Sequence, residues 1–152
     1  MQKITPNLWF DGNAQEAVDY YVSVFPNSKI LSTEYYPASS EEGLAEFQKE
    51  LAGQVLTIEF ELDGMQFVAI NAGPEFHFTE AVSFAVACKD QAEIDYFWER
   101  LSSVPESEQC GWCKDAYGLS WQIVPSNMAE LMQKPGAFAT MMQQKKIVIA
   151  EY

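Results

Sequence analysis

The sequence predicts an α+β fold made of one strand–helix–strands module that occurs twice in the chain. Three observations predict it. Short apolar runs are followed by apolar stripes at helical spacing, an Asp-Gly pair joins two alternating apolar and polar runs, and the cap and stripe of the first helix recur in the second half of the chain. Since 152 residues can bury one core, we expect a single domain over 1–152.

The first module opens with an apolar run at residues 7–10, which predicts a strand. Asn13, with Glu16 three residues later, is typical of a capping box, so we expect the Asn13 side chain to cap the N-terminus of a helix. Apolar residues at helical spacing follow it, and Pro26 ends the helix.

Two further strands and a loop complete the first module. Residues 28–36 predict a second strand, and residues 37–54 predict a polar surface loop that contains one short helix. Asp63-Gly64 between alternating runs predicts a hairpin that pairs Phe60 with Phe67. One face of this hairpin is apolar. The other faces water or a polar cavity and carries Thr57, Glu59, Glu61 and Gln66.

The second module repeats the first after a linker at residues 72–80. A strand at 82–88 precedes Asp90 and Glu93, which fall on Asn13 and Glu16 when the two halves of the chain are aligned. Module one therefore covers about 1–73 and module two about 80–126. Each half alone would leave one sheet face uncovered, so we expect the halves to pack into one unit.

The remaining segment, 127–152, predicts two helices separated by Pro135-Gly136 and a closing strand at 147–149. This apolar, methionine-containing tail either forms a homodimer contact or covers its own sheet.

Composition excludes several functional classes. A formal charge of −13, from 9 basic and 22 acidic residues, opposes binding to nucleic acid and to anionic membranes. No apolar run is long enough to span a bilayer, and the N-terminus lacks a signal-peptide pattern, so we expect a cytoplasmic protein.

The three cysteines predict free thiols rather than disulfides. Cys110 and Cys113 form a C-x-x-C pair, but residues three apart on a strand point to opposite faces, so redox use is not expected. A zinc site is not expected either, because it needs four ligands and Cys88 and His77 would have to converge with this pair.

Three stretches together resemble the PhnB-like family, often labelled "3-demethylubiquinone-9 3-methyltransferase domain", within the glyoxalase / bleomycin-resistance (vicinal-oxygen-chelate) superfamily. They are ITPNLWFDGNAQEAVDYYVSVFP, FELDGMQFVAINAGPEFHFTEAVSFAV, and CGWCKDAYGLSWQIVP with the tail MMQQKKIVIA. The resemblance implies two βαβββ modules that form a cupped mixed sheet with helices on its outer face, often as a homodimer. It does not imply a reaction.

The resemblance also implies positions for a divalent metal, which superfamily enzymes hold with His and Glu. Those positions fall on Ser83, on Gln122, and between Ile4 and Asn7, where there is no His, so the ligand set is absent and no metal is expected. The chain also lacks the glycine-rich turn that a cofactor such as S-adenosylmethionine usually requires, so we expect no cofactor.

The candidate ligand-cavity residues combine aromatic rings on predicted strands with polar groups: Trp9, Thr57, Glu59, Gln66, Ser83, Trp112, Trp121 and Gln122. They favour a metal-free protein that binds a small molecule, either aromatic or cationic. Two alternatives stay open. One is an enzyme of the same fold that uses Glu59, Gln122 or a cysteine, and the other is an accessory protein whose dimer surface is its function.

Overall fold

The computed structural model describes residues 2–152, and the chain divides into two compact units, Met1–His77 and Phe78–Tyr152. None of the helices in the described range is long and apolar enough to cross a membrane. The strands are β1 Asn7–Asp11, β2 Lys29–Tyr35, β3 Val55–Leu62, β4 Met65–Ala72, β5 Ser83–Cys88, β6 Trp112–Lys114 and β7 Ser120–Pro125, and the helices are α1 Ala14–Val24, α2 Gln91–Leu101, α3 Met128–Leu131 and α4 Ala137–Gln143.

The first unit has the predicted βαβββ order, and its sheet runs β1-β4-β3-β2 with only the β1–β4 pair parallel. Helix α1 buries five residues spaced at three and four, and the sheet buries alternate residues of β1, β3 and β4. Each fully buried large apolar side chain contributes about 1.5–3 kcal/mol, so this interface dominates the stability of the unit.

The hairpin between β3 and β4 forms as predicted. Phe60 pairs with Phe67 and Leu62 with Met65. Asp63 and Gly64 both have positive φ, 49° and 82°, which is the geometry of a type I′ turn. The predicted loop at 37–54 contains two short 3₁₀ turns, Ser40–Glu42 and Glu46–Leu51.

The start of α1 differs from the prediction. Asn13 precedes the helix but makes no capping hydrogen bond through its side chain. Instead, Asn71 from β4 accepts a hydrogen bond from the Ala14 N–H (3.1 Å) and donates one to the Val55 carbonyl (2.9 Å). The Tyr36 hydroxyl donates to the backbone carbonyl of Asn71 (2.7 Å). A buried strand residue therefore replaces the local cap.

Tyr36 remains a hydrogen-bond donor at this junction over the ordinary pH range. Burial, reinforced by the Glu75 carboxylate, raises the pKa of its phenol above the ordinary value of 10. The hydrogen bond to Asn71 therefore persists wherever the protein is folded near neutrality.

The second unit repeats the first with one strand fewer. Helix α2 has the same length as α1 and begins and ends at the positions that the repeat assigns to it. Asp90 caps it as predicted by accepting from the Glu93 N–H (2.9 Å). The sheet runs β5-β7-β6, which matches β1-β4-β3. The expected fourth strand is absent from the described residues, because a 3₁₀ turn at Pro105–Ser107 occupies that part of the chain.

Residues 147–149 do not form the predicted closing strand. The Gln91 amide of α2 donates to the Ile147 carbonyl (2.9 Å) and accepts from the Ile149 N–H (2.8 Å). One side chain thus takes the hydrogen bonds that a neighbouring strand would have made. The two tail helices, α3 and α4, form on either side of Pro135-Gly136 as predicted. The joining of both sheets into one cup stays a prediction.

Candidate functional site

Four of the predicted ligand residues lie on one face of the first sheet, opposite α1. Residues paired across strands share a face, so the register assigns each side chain to a side. We call this surface the first open face. Its paired rows are Asn7–Val68–Glu59–Ser32, Trp9–Ile70–Thr57–Glu34 and Gln66–Glu61–Lys29.

Trp9 is the aromatic centre of the first open face. Its indole N–H donates to the Gly73 carbonyl (2.9 Å), which fixes the orientation of the ring. Phe76 meets it edge to face, with centroids 4.7 Å apart and planes at 76°, and remains 62% exposed. This pair forms an apolar aromatic cluster that solvent reaches at Phe76. Phe76 is not among the predicted ligand residues, although its place in a polar linker is a signal that could have identified it.

Glu59 supplies the charge on this face. It is exposed, occupies the row next to that of Trp9, and accepts a hydrogen bond from the Ser32 hydroxyl (3.0 Å). Thr57 and Gln66 are half-buried on the same face. The first unit as a whole is strongly acidic, because residues 1–77 hold 12 of the 22 acidic residues and only 3 of the 9 basic ones.

The second sheet also has a face opposite the row of Phe84, Trp121 and Cys113, which we call the second open face; Ser120 at its centre is buried. Its rows are Ser83–Ser120–Lys114 and Ala85–Gln122–Trp112. The Gln122 amide donates to the Ser83 hydroxyl (2.9 Å), so the structure brings these two predicted residues into direct contact. Trp112 is half-buried and directly paired with Gln122.

The residues at the metal positions that the family resemblance implies do not fit a divalent cation. A serine hydroxyl and a neutral amide are weak ligands for a divalent cation, and here the Gln122 amide donates a hydrogen bond to the Ser83 hydroxyl. Within residues 2–152 there is no group of three or more His, Cys, Asp or Glu placed to hold a metal ion.

The first unit does not fit S-adenosylmethionine either. One glycine, Gly12, lies between β1 and α1 instead of a glycine-rich turn, and the Asn71 side chain already occupies the first amide of the helix. The start of α1 therefore offers no cradle for this cofactor.

Trp121 lies on the opposite face from the other ligand candidates of its sheet. It shares a row with Phe84 and Cys113 and is only 3% exposed. Its indole N–H donates to Asp115 Oδ2 (2.8 Å), whose Oδ1 accepts from the backbone N–H groups of Tyr117 (2.8 Å) and Leu119 (3.0 Å). This arrangement makes Trp121 a structural residue.

The three cysteines are free and differ in exposure. Cys88 and Cys113 are buried, and Cys110 is partly exposed. Burial raises the pKa of the Cys88 and Cys113 thiols to about 12, with smaller contributions from nearby carboxylates. Cys110 lies in a turn with a φ of 53°, whereas Cys113 lies in β6, so the C-x-x-C pair does not open a helix as redox pairs do.

We expect one thiol to react in the folded protein and three after denaturation. The thiolate is the nucleophile, and a pKa of about 12 leaves a thiolate fraction on the order of 10⁻⁴ at pH 8. Titration with a chromogenic disulfide at pH 8 should show fast labelling that Cys110→Ser abolishes. Fast labelling of two or more thiols without denaturant would contradict these positions.

A polar cleft of about 510 Å³ lies in the tail of the second unit, and its lining includes none of the predicted ligand residues. It is lined by Thr140, Gln143, Gln144, Lys145, Lys146, Val148 and Glu151. Lys146 is already paired with Asp95 (2.8 Å), and the buried Gln144 amide already donates to Val148 and Glu151. The cleft therefore offers few uncommitted groups.

Comparisons with known proteins are consistent with this architecture. The family model described as 3-demethylubiquinone-9 3-methyltransferase matches residues 2–124. A solved structure of a PhnB protein from Bacillus cereus, a proposed 3-demethylubiquinone-9 3-methyltransferase, is 35% identical, with a TM-score of 0.63 over 81% of this chain and 99% of that one. Protein PA1353 from Pseudomonas aeruginosa is 15% identical, with a TM-score of 0.60 over 82% and 98%, and shares the fold. A comparison with curated proteins finds no match.

Proposed function

This chain belongs to the PhnB-like family described as 3-demethylubiquinone-9 3-methyltransferase, and from that premise we propose that it is a metal-free protein that binds a small planar aromatic cation. The observation that carries the proposal is the Trp9–Phe76 pair on the first open face, with Glu59 in the neighbouring row. The methyl transfer named in the family description has no support in the residues around α1.

The aromatic part of the ligand would lie on the Trp9 ring. The hydrogen bond from the indole to Gly73 holds that ring in place, so little side-chain entropy is lost on binding. A cation over an indole face gains about 0.5–2 kcal/mol from the ring quadrupole, and indole is the best of the aromatic side chains for this contact.

Glu59 would favour a positive charge. Neighbouring rows on a sheet are about 7 Å apart and neighbouring strands about 5 Å apart, so a ligand of roughly 12 Å could span from Trp9 to Glu59. The excess of carboxylates in residues 1–77 would also attract cations from solution and repel anions.

We expect N-methylacridinium to bind saturably and neutral acridine, at pH 8, to bind at least several-fold more weakly. Trp9→Ala should weaken binding of the cation by tenfold or more, because stacking on an aromatic residue is worth about 1–3 kcal/mol. Fluorescence titration at fixed ionic strength would measure both.

Glu59→Gln distinguishes the contribution of the carboxylate charge to ligand affinity from that of the aromatic rings. It should weaken N-methylacridinium binding without changing the affinity for acridine, while Glu46→Gln, on an exposed 3₁₀ turn outside the sheet, should change neither. Equal affinities for the two ligands, or Trp9→Ala that binds as well as the parent, would retire the proposal.

We also propose that the protein forms a homodimer and is cytoplasmic. An enzymatic role for Glu59 or Gln122 has no specific contact in its favour.

A further inference from the structure

We propose that the second open face contains a subsite for the carboxylate of a small aromatic acid, formed by Ser83, Ser120 and Lys114. These residues occupy one row across β5, β7 and β6, so their side chains project from the same side of the sheet. All three residues belong to the second unit, and the proposal does not depend on the cation-binding role proposed for the first sheet.

The main observation is the unpartnered hydroxyl of Ser120. Ser120 is 1% exposed, and its Oγ is the one buried side-chain oxygen or nitrogen in residues 2–152 that has no hydrogen-bond partner. A buried polar group without a partner costs about 1–3 kcal/mol, and native proteins leave few such groups. A group that completes its hydrogen bond only when a ligand is present explains why the residue is not alanine.

The neighbours of Ser120 are hydrogen-bond donors. Ser83 uses its oxygen to accept from Gln122, so within the described residues its own O–H remains available to donate. Lys114 brings an ammonium group whose side chain is only 26% exposed. Two hydroxyl donors and one partly buried cation in a row match an oxyanion and oppose a cation.

Glu80 indicates that a carboxylate fits beside this row. Its Oε1 lies 3.1 Å from Lys114 Nζ, while its side chain remains 65% exposed. An ion pair this exposed contributes about 0–1 kcal/mol, so a ligand carboxylate could replace it at low cost. We infer that Glu80 occupies the place of the ligand carboxylate when the subsite is empty.

The row next to the carboxylate subsite has space for a ring. Ala85 is exposed and small, and Trp112 lies across Gln122 from it. An aromatic ring attached to a carboxylate at Ser120 could therefore lie over Gln122, with Ala85 on one side and Trp112 on the other. This geometry selects arylcarboxylates over aliphatic ones.

The test is a titration with benzoate, with benzamide as the neutral control of the same shape. Benzoate should perturb the Trp112 indole N–H saturably in a ¹⁵N correlation spectrum, and benzamide should bind at least several-fold more weakly. Ser120→Ala should weaken benzoate roughly tenfold, as expected for one hydrogen bond to a charged group.

Ser120→Ala also has a second readout that a purely structural residue would not give. Because it removes an unsatisfied buried hydroxyl, the unfolding midpoint without benzoate should stay the same or rise. Lys114→Met should weaken benzoate by tenfold or more, and Glu80→Gln should strengthen it because a competing carboxylate is lost.

Equal binding of benzoate and benzamide, no saturable shift, or an unchanged affinity in Ser120→Ala would overturn the subsite. These outcomes are distinguishable from failure of the cation proposal, which is measured with N-methylacridinium at Trp9. Either ligand can bind while the other does not.

Discussion

Asp115→Asn is expected to lower the free energy of unfolding by about 3 kcal/mol, although it changes neither the size nor the shape of the side chain. Both carboxylate oxygens of Asp115 accept hydrogen bonds, one from two backbone N–H groups and the other from the Trp121 indole. An amide has only one accepting oxygen, so in either orientation its N–H₂ would face another donor. The site is 1% exposed, and water cannot easily relieve this conflict.

The measurement is thermal unfolding followed by circular dichroism, where about 3 kcal/mol corresponds to a fall of roughly 6–12 °C in Tm for a chain of this size. Asp63→Asn is the matched control, because Asp63 is exposed in a type I′ turn that accepts asparagine equally well. An Asp115→Asn protein as stable as this control would show that the carboxylate does not organise the turn before β7.

Asn71→Ala should cost about 2–4 kcal/mol, because it removes the cap of α1 and leaves the Ala14 N–H and the Val55 carbonyl without their partner. Both groups are at the junction of β3, β4 and α1, where the side chain of Asn71 is 4% exposed. Denaturant unfolding should show a lower midpoint with an unchanged slope.

Asn13→Ala provides the comparison within the same helix. Asn13 occupies the capping position by sequence but makes no capping bond through its side chain, so its replacement should change stability by less than about 0.5 kcal/mol. If Asn13→Ala were the more damaging of the two, the cap would come from the local sequence after all.

The elements that the sequence predicted well are those whose signals are local. The Asp63-Gly64 turn requires two positive φ angles, and few other residue pairs adopt them readily. Helix α2 is capped by Asp90, which accepts a hydrogen bond from the Glu93 N–H three residues away. The internal repeat identified both helices because cap and stripe recur together.

The elements that the sequence predicted wrongly depend on distant partners. Asn71 caps a helix 57 residues earlier in the chain, and no local pattern around Asn13 reveals that. Residues 147–149 are three consecutive β-branched apolar residues, which predicts a strand, yet the Gln91 side chain takes the backbone hydrogen bonds of Ile147 and Ile149. The fourth strand of the second unit is lost near Pro105, which lacks an N–H for a sheet.

Among the candidate site residues, too, local patterns predicted some positions, whereas others depend on strand pairing. Alternation along β3 and β4 placed Thr57, Glu59 and Gln66 on one face, and the register adds Trp9 to it. Alternation alone could not decide which face of β7 turns inward, so Trp121 was grouped with Gln122 although adjacent residues point to opposite sides. Ser120 could have been found only from its pairing with Ser83, which requires the register of a parallel pair.

The most direct test of the central claim is the ¹⁵N spectrum of the four tryptophan indoles during titration with N-methylacridinium. We expect the Trp9 signal to shift saturably and to disappear in Trp9→Phe, while the Trp121 signal, held by Asp115 in the interior, does not move. A Trp9 signal that stays in place at saturating ligand would contradict the claim that the first open face is the binding surface.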